Sequence, residues 1–261
     1  MQDCDKAMSA HPIIAAIPVR NAIEWTVPLV TSLLDNDEAD QVWLFDNGST
    51  DGTTQWANEL AAADCRFTVT HRPRARLYAM WNEMVARATT QDRLNRAHNT
   101  SSSKDTQPSI NTQPSINTES MLAILNNDIV LPAGALRTLS SIMTQATIEE
   151  GGPYDLGFVD ESRNVPELDN PRPVAVQWPQ KSGAALMLRV PFWQGQPFAV
   201  DPGLRIYWGD DDLARRAQAR GGRLCIVEGL NIFHAVSATP YSGDKAADIE
   251  HDREYFDRIW R

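Results

Sequence analysis

Apolar residues along this chain alternate between short unbroken runs and longer stretches repeating every three to four positions. Ile13-Ile14-Ala15-Ala16-Ile17, closed by Pro18, and Val42-Trp43-Leu44-Phe45 are unbroken runs, which predict strands buried on both faces. Between them Trp25, Val27, Leu29, Val30, Leu33 and Leu34 recur at helical spacing and predict a helix over 24–34, completing a βαβ unit. The alternation continues with a helix over 53–63, a strand over 66–70 and a helix over 77–88 that places Leu77, Met80, Trp81, Met84 and Val85 toward the core. A strand over 121–125 and a helix over 132–143 follow, the latter with proline in its first turn. Further strands are predicted over 156–159, 174–178, 183–188 and 224–227. A charged helix over 211–220 stops at Gly221-Gly222, and an amphipathic helix covers 244–261. These elements predict one α/β domain, a mostly parallel Rossmann-like sheet flanked by helices.

One stretch breaks the pattern. From Thr89 to Ser120 apolar residues nearly vanish, and Thr-Gln-Pro-Ser-Ile-Asn occurs twice in tandem, at 106–111 and 112–117. So polar a segment buries too little surface to offset its ordering entropy, which predicts a disordered insertion over 89–120. The alternative is a contact with a partner or acceptor.

The 261 residues, 42% hydrophobic and 22% charged, suit one soluble globular unit. No run approaches the ~18 apolar residues of a membrane span. Met1-Gln2-Asp3-Cys4-Asp5-Lys6 shows neither a basic cluster nor an apolar core of a secretory signal, so a cytoplasmic location is expected. Cys4, Cys65 and Cys225 are odd in number and widely spaced, which predicts free thiols. A net charge of −10 argues against holding nucleic acid through its phosphates. The exception to this acidity is His71-Arg72-Pro73-Arg74-Ala75-Arg76, either a solvated loop or a guanidinium site for a diphosphate or an anionic acceptor.

Asp46-Asn47-Gly48-Ser49-Thr50-Asp51-Gly52-Thr53 follows the second strand directly, delivering a polar turn to the sheet's carboxyl edge, where open α/β sheets bind ligands. This octapeptide resembles the DDGSTDGT signature of family-two glycosyltransferases, inverting enzymes with a GT-A fold that use nucleotide-sugar donors. Three further strings resemble family motifs in the required order: Ile17-Pro18-Val19-Arg20-Asn21, Leu125-Asn126-Asn127-Asp128-Ile129-Val130 in the place of the Asp-x-Asp region, and Phe198 through Leu213. Asn82 matches the asparagine of the helix before the Asp-x-Asp strand. The resemblance spans about residues 13 to 240, apart from the insertion. It implies a nucleotide-sugar-binding half over 11–130, an acceptor-binding and catalytic half over 131–240, and a C-terminal helix over 241–261.

By resemblance, Asp46 contacts the nucleobase, with Pro18, Asn21 and Ser49 lining the same pocket. Arg76, Asn82, Asn126, Asn127 and Gly183 fall on the donor, and His234 on the cation or the diphosphate. A diphosphate leaving group carries charge that Mg²⁺ or Mn²⁺ neutralises through hard oxygen ligands. Asp128 is the natural carboxylate for that ion, or else a helix cap before Pro132. Asp210, Asp211 and Asp212 begin a helix, where anions are favoured. The family register places the catalytic base on Asp210, with Asp211 the second candidate, and Gly209 replaces the usual glutamate; helix capping is the plainer role. Trp178, Trp193, Tyr207 and Trp208 either stack on sugars or fill the core.

The implied activity is inverting, metal-assisted transfer from a UDP-, dTDP- or GDP-sugar to an acceptor hydroxyl of a glycan, protein or modified nucleic acid. Pairing of Asp-Asn-Gly-Ser with Leu-Asn-Asn-Asp resembles rhamnosyltransferases. The rival is a GT-A-like protein that binds nucleotide sugar without turnover, favoured only by Gly209 and the Asn-Asn-Asp variant.

Overall fold

In a computed structural model, residues 11–102, 119–145, 151–162, 167–174, 183–236 and 243–261 are described. Four strands, β1 (Ile13–Val19), β2 (Gln41–Asp46), β3 (Phe67–His71) and β4 (Met121–Leu125), pair in parallel in the order β3-β2-β1-β4. Parallel neighbours need crossovers, supplied by α1 (Ile23–Asp35), α2 (Thr53–Ala63) and α3 (Leu77–Ser102). Every residue of β1 and β4 is buried. Alternation along β1 divides the core in two. Ile13, Ala15 and Ile17 pack with Leu29 and Leu33 of α1 and with Leu136 and Leu139 of α4 (Ala135–Gln145). Ile14 and Ala16 pack on the opposite face with Trp43, Phe45 and the α3 residues Tyr78, Trp81 and Met84.

Beyond β4 the sheet becomes mixed. β8 (Ala185–Arg189) lies antiparallel to β4, β6 (Leu156–Ser162) antiparallel to β8, and β9 (Leu224–His234) parallel to β6. β5 (Ile129–Val130) and β7 (Arg172–Val174) pair antiparallel with β9. The predicted parallel character thus holds for the first four strands. Asn126-Asn127-Asp128, far too short for a crossover, instead carries the chain from β4 to β5 against the end of β9. β5 is too short to be read from alternation, and 224–227 is only the start of an eleven-residue β9.

The predicted disorder over 89–120 does not hold for its beginning. Helix α3 continues to Ser102 because a polar network anchors it: buried Asp92 accepts from Arg96 Nε at 2.8 Å, the Ser120 amide at 3.2 Å and Gln194 Nε2 at 2.9 Å. The tandem hexapeptides lie outside the described residues, as does Trp178. Cys65 is disulfide-bonded rather than free, whereas Cys225 is a buried free thiol. Among the described residues no helix is long and apolar enough to cross a membrane. Helix α5 (Gly209–Ala219) and helix α6 (Lys245–Trp260) complete the fold on the second core face, where Leu213 and Ala217 of α5 pack with Phe256 of α6.

Candidate active site

At the carboxyl edge the octapeptide is held by its own polar groups. Asp46, 1% exposed, accepts from the Ser49 amide (2.9 Å) and Thr54 Oγ1 (2.6 Å) and sits 3.2 Å from His71 Nδ1. Burial pushes its pKa up, but hydrogen bonds from Ser49, Thr54 and His71 outweigh this and hold the carboxyl below its usual range. Ser49 Oγ accepts from the Asn21 amide at 2.8 Å, and Asn21 Oδ1 accepts from the Thr50 amide at 2.7 Å. Asn21 and Ala22 both adopt left-handed backbone, φ 62° and 61°, to turn β1 into α1. Asn21, Asp46 and Ser49 therefore tie two loops together, and none lines the cavity beside them. Asn47 does, with its amide donating to the Ala75 carbonyl at 3.0 Å.

That cavity has a volume of about 920 Å³ and gathers Pro18, Arg76, Asn126, Asn127, Asp128 and His234 from the predicted set. Arg74 and Tyr207 line it as well. Arg72 is turned away in an ion pair with Glu83. Asn127 also donates to Thr26 Oγ1 at 3.1 Å, bracing the first turn of α1.

Pairing of Ile129 with His234 brings the Asn-Asn-Asp turn against the end of β9. His234 Nε2 lies 3.2 Å from Asp128 Oδ1 and 3.4 Å from Asn126 Nδ2, while Nδ1 lies 3.1 Å from Glu161 Oε2 on β6. Burial lowers the His234 pKa, but the two carboxylates override it and raise it to about 9, so without a cation the imidazole carries a hydrogen on each ring nitrogen at neutral pH, one toward each carboxylate. Among the described residues no group of three or more acidic, histidine or cysteine side chains is placed to hold a metal ion. The Asp128–His234 pair nevertheless fits two ligands of one cation. Ligands ~2.1 Å from an octahedral ion lie about 3 Å apart at neighbouring vertices, close to the observed 3.2 Å.

Helix α5 carries the consecutive aspartates, and each points differently. Asp212 is fully buried, accepting from the Asp201 amide (2.6 Å), Arg216 Nε (2.8 Å) and Trp260 Nε1 (2.7 Å), which makes it a structural hub. Asp210 stands against Gly183, where an added Cβ would lie 2.9 Å from the Asp210 Cβ and 3.1 Å from Oδ2. Burial raises its pKa, opposed by backbone hydrogen bonds and reinforced by the charge of Glu161. Asp210, Asp211 and Gly183 do not line the cavity itself. Gly209 has a local reason to lack a side chain. Its Cβ would fall 2.0 Å from the Tyr78 ring, and its amide donates to Tyr78 Oη at 3.0 Å.

Asn82 does not line the cavity and braces a loop: Oδ1 accepts from the Ala199 and Val200 amides at 2.8 and 2.9 Å, and Nδ2 donates to the Val200 carbonyl at 2.8 Å. Trp193 is core, 2% exposed, whereas Tyr207 stays on the cavity wall. Two contributors were invisible in sequence. Glu161 is 73 positions from His234. Asp252 of α6 accepts from the amides of Arg205, Ile206 and Tyr207 at 2.8–3.0 Å, shaping one cavity wall. Each depends on tertiary pairing, with no local motif to mark it.

A mixed sheet with loops gathered at its carboxyl edge, and an acidic turn facing a histidine, is the architecture of a GT-A-like fold. Residues 14–92 match the model of Glycosyl transferase family 2. The solved structures most like the chain include TarS residues 1–349 from S. aureus, with 12% identity over 95% of this chain and 72% of that one, TM-score 0.53. Mannosyltransferase PcManGT from Pyrobaculum calidifontis, in complex with GDP-Man and Mn²⁺, shares 13% identity over 98% of this chain and 66% of its own, TM-score 0.59. GalNAc-T7 with UDP, GalNAc and Mn²⁺ shares 12% identity over 93% of this chain and 48% of its own, TM-score 0.51. No curated protein sequence matches. At such identities the likeness establishes the fold, and the family match adds a likeness over residues 14–92, which hold the octapeptide but neither the Asn-Asn-Asp turn nor the aspartates of α5. The chain thus has a GT-A-like fold, and its residues 14–92 carry the likeness to Glycosyl transferase family 2.

Proposed function

We propose that this enzyme moves a sugar from a nucleotide-sugar donor to an acceptor hydroxyl with inversion, assisted by a divalent cation. The observation that carries the reading is the Asp128–His234 pair, 3.2 Å apart and opening into the cavity lined by Pro18, Arg76, Asn126 and Asn127. In this reading Asp128 and His234 would hold Mn²⁺ or Mg²⁺, which would neutralise charge on a departing diphosphate. Arg76 contributes a guanidinium to the same anion. Asp210 receives the acceptor hydroxyl proton as the new bond to the anomeric carbon forms and the bond to the diphosphate oxygen breaks, releasing the nucleoside diphosphate. A raised pKa suits that role, since a base works best near the operating pH, and such a base contributes about 10² to 10⁴ in rate. Asp211 is the second candidate.

Calorimetric titration with UDP, GDP and dTDP, each with and without Mn²⁺, tests this directly. Manganese-dependent binding of one nucleotide is expected. Asp210→Ala should keep that binding and lose transfer, and normal turnover in the variant would reassign the base. Failure of every nucleotide to bind the folded protein would favour a non-catalytic GT-A-like protein.

A further inference from the structure

We propose that Glu161 is a positioning residue for His234, holding the imidazole so that Nε2 faces Asp128 and the cavity. The inference rests on the metal-assisted reading above. Glu161 Oε2 lies 3.1 Å from Nδ1, and an ionised carboxylate only accepts, so the hydrogen of that bond sits on Nδ1. Nε2 is then the ring atom presented toward Asp128 at 3.2 Å. Metal-binding histidines are commonly oriented in this way by a carboxylate on the far nitrogen.

The sheet is built to make this contact. Along β6 and β9, Val159 pairs with Val227 but Glu161 pairs with Ile232, so two steps on one strand match five on the other. The slack is taken up at Gly229 and Asn231, both in left-handed backbone at φ 81° and 47°. Gly229 is pressed so closely on the Asp169 carbonyl oxygen that a Cβ would lie 2.2 Å from it. Without the slip, His234 would run past the end of β6; with it, Phe233 pairs with Ser162 and His234 stands next to Glu161. Bulges of this kind re-aim side chains beside functional sites. The second Glu161 oxygen, Oε1, is buried and has no hydrogen-bond partner among the described residues, a desolvated position that a purely structural acid would have reason to avoid.

The test compares Glu161→Met, similar in length but offering only a weak thioether acceptor, with Glu161→Gln, which keeps a carbonyl acceptor. Mn²⁺ affinity of the protein–nucleotide complex is read by electron paramagnetic resonance, with no turnover needed, alongside melting temperature. Glu161→Met should weaken Mn²⁺ about tenfold to a hundredfold, with nucleotide affinity in the absence of metal unchanged, and Glu161→Gln should recover most of it. Equal Mn²⁺ affinity in the Met variant and the parent overturns the positioning role and leaves the metal-assisted reading standing. Equal losses in both variants overturn it too, by showing that charge and not the acceptor matters. A parent complex that takes up no Mn²⁺ overturns both readings. The parent protein also supplies a test independent of variants: in its Mg²⁺–nucleotide complex, long-range ¹H–¹⁵N correlation should find the His234 hydrogen on Nδ1, and hydrogen on Nε2 overturns the inference.

Discussion

Replacing Asp252 with alanine should damage both stability and donor binding, although the residue does not line the cavity. Its carboxylate is fully buried and accepts from three successive backbone amides, Arg205 at 2.9 Å, Ile206 at 2.8 Å and Tyr207 at 3.0 Å. Each donor left unsatisfied on burial costs about 1–3 kcal/mol. Arg205 and Ile206 are half-buried and Tyr207 is at the edge of exposure, so water recovers part of the loss. A total of about 3–5 kcal/mol follows. At roughly 2–4 °C per kcal/mol for a domain of this size, the melting temperature should fall by about 6–20 °C. Because the same three residues form one wall of the cavity, nucleotide affinity should fall in step, below the melting transition. Asp252→Asn keeps an acceptor and should lose less than half as much. Differential scanning calorimetry with nucleotide titration at 15 °C reads both. A melting point within about 2 °C of the parent, the range of an ordinary surface change, would refute the reasoning that α6 organises the wall.

Gly183→Ala should lower kcat with little change in donor affinity, because the new methyl must displace the Asp210 side chain, 2.9 Å from its Cβ; steady-state kinetics showing a pure KM effect would contradict this. Gly229→Ala forces a side chain into left-handed backbone and against the Asp169 carbonyl. That strain costs about 1–2 kcal/mol before any clash, so a lower melting point with weaker Mn²⁺ binding is expected, and an unchanged Mn²⁺ affinity would detach the bulge from the cation site. Asp210→Asn should stabilise the protein at neutral pH. A carboxyl whose pKa is raised by folding adds stability below its unfolded value near 3.8, and that contribution is lost as pH rises through the folded value. Removing the charge should therefore raise the melting point at pH 7, with the gain shrinking toward pH 3.5; equal effects at both pH values would show that Asp210 is not desolvated.

What the sequence discloses here follows from the length scale of each cause. Strands β1 and β4 are buried on both faces, so their runs of Ile, Ala, Leu and Met mark them without reference to any other part of the chain. Asp128 stands at the end of a buried strand, as Asp46 does, yet Asp46 holds its own loop while Asp128 lines the cavity, a difference no local pattern marks. The consecutive aspartates were harder, since their chemistry is identical and only helical geometry separates them. Successive residues of α5 point about 100° apart, which sends Asp212 into Arg216 and Trp260 and leaves Asp210 beside Gly183. The same ambiguity affects Asn21, Asp46, Ser49 and Asn82. A side chain that receives backbone amides and one that receives a ligand are selected from the same short list of polar residues, and a motif cannot say which role each takes.

Polar helices and distant contacts set the other boundary. The second half of α3 carries too few apolar residues to announce itself, and its order comes from Asp92 meeting Ser120 and Gln194, 28 and 102 positions away. Glu161 and Asp252 are distant in the same sense: their partners are 73 and 45–47 positions off in the chain. Both are carboxylates that complete a feature begun elsewhere, one at the end of β9 and the other at the 205–207 loop. An acidic chain of net charge −10 has many carboxylates to choose from, so composition hides the few that matter. Burial distinguishes them, since desolvating an acid is costly unless it is matched by donors. Asp252 is matched on both oxygens, by three backbone amides and the His251 ring, whereas among the described residues Glu161 is matched on only one. That asymmetry separates an acid that builds the scaffold from one poised at the site.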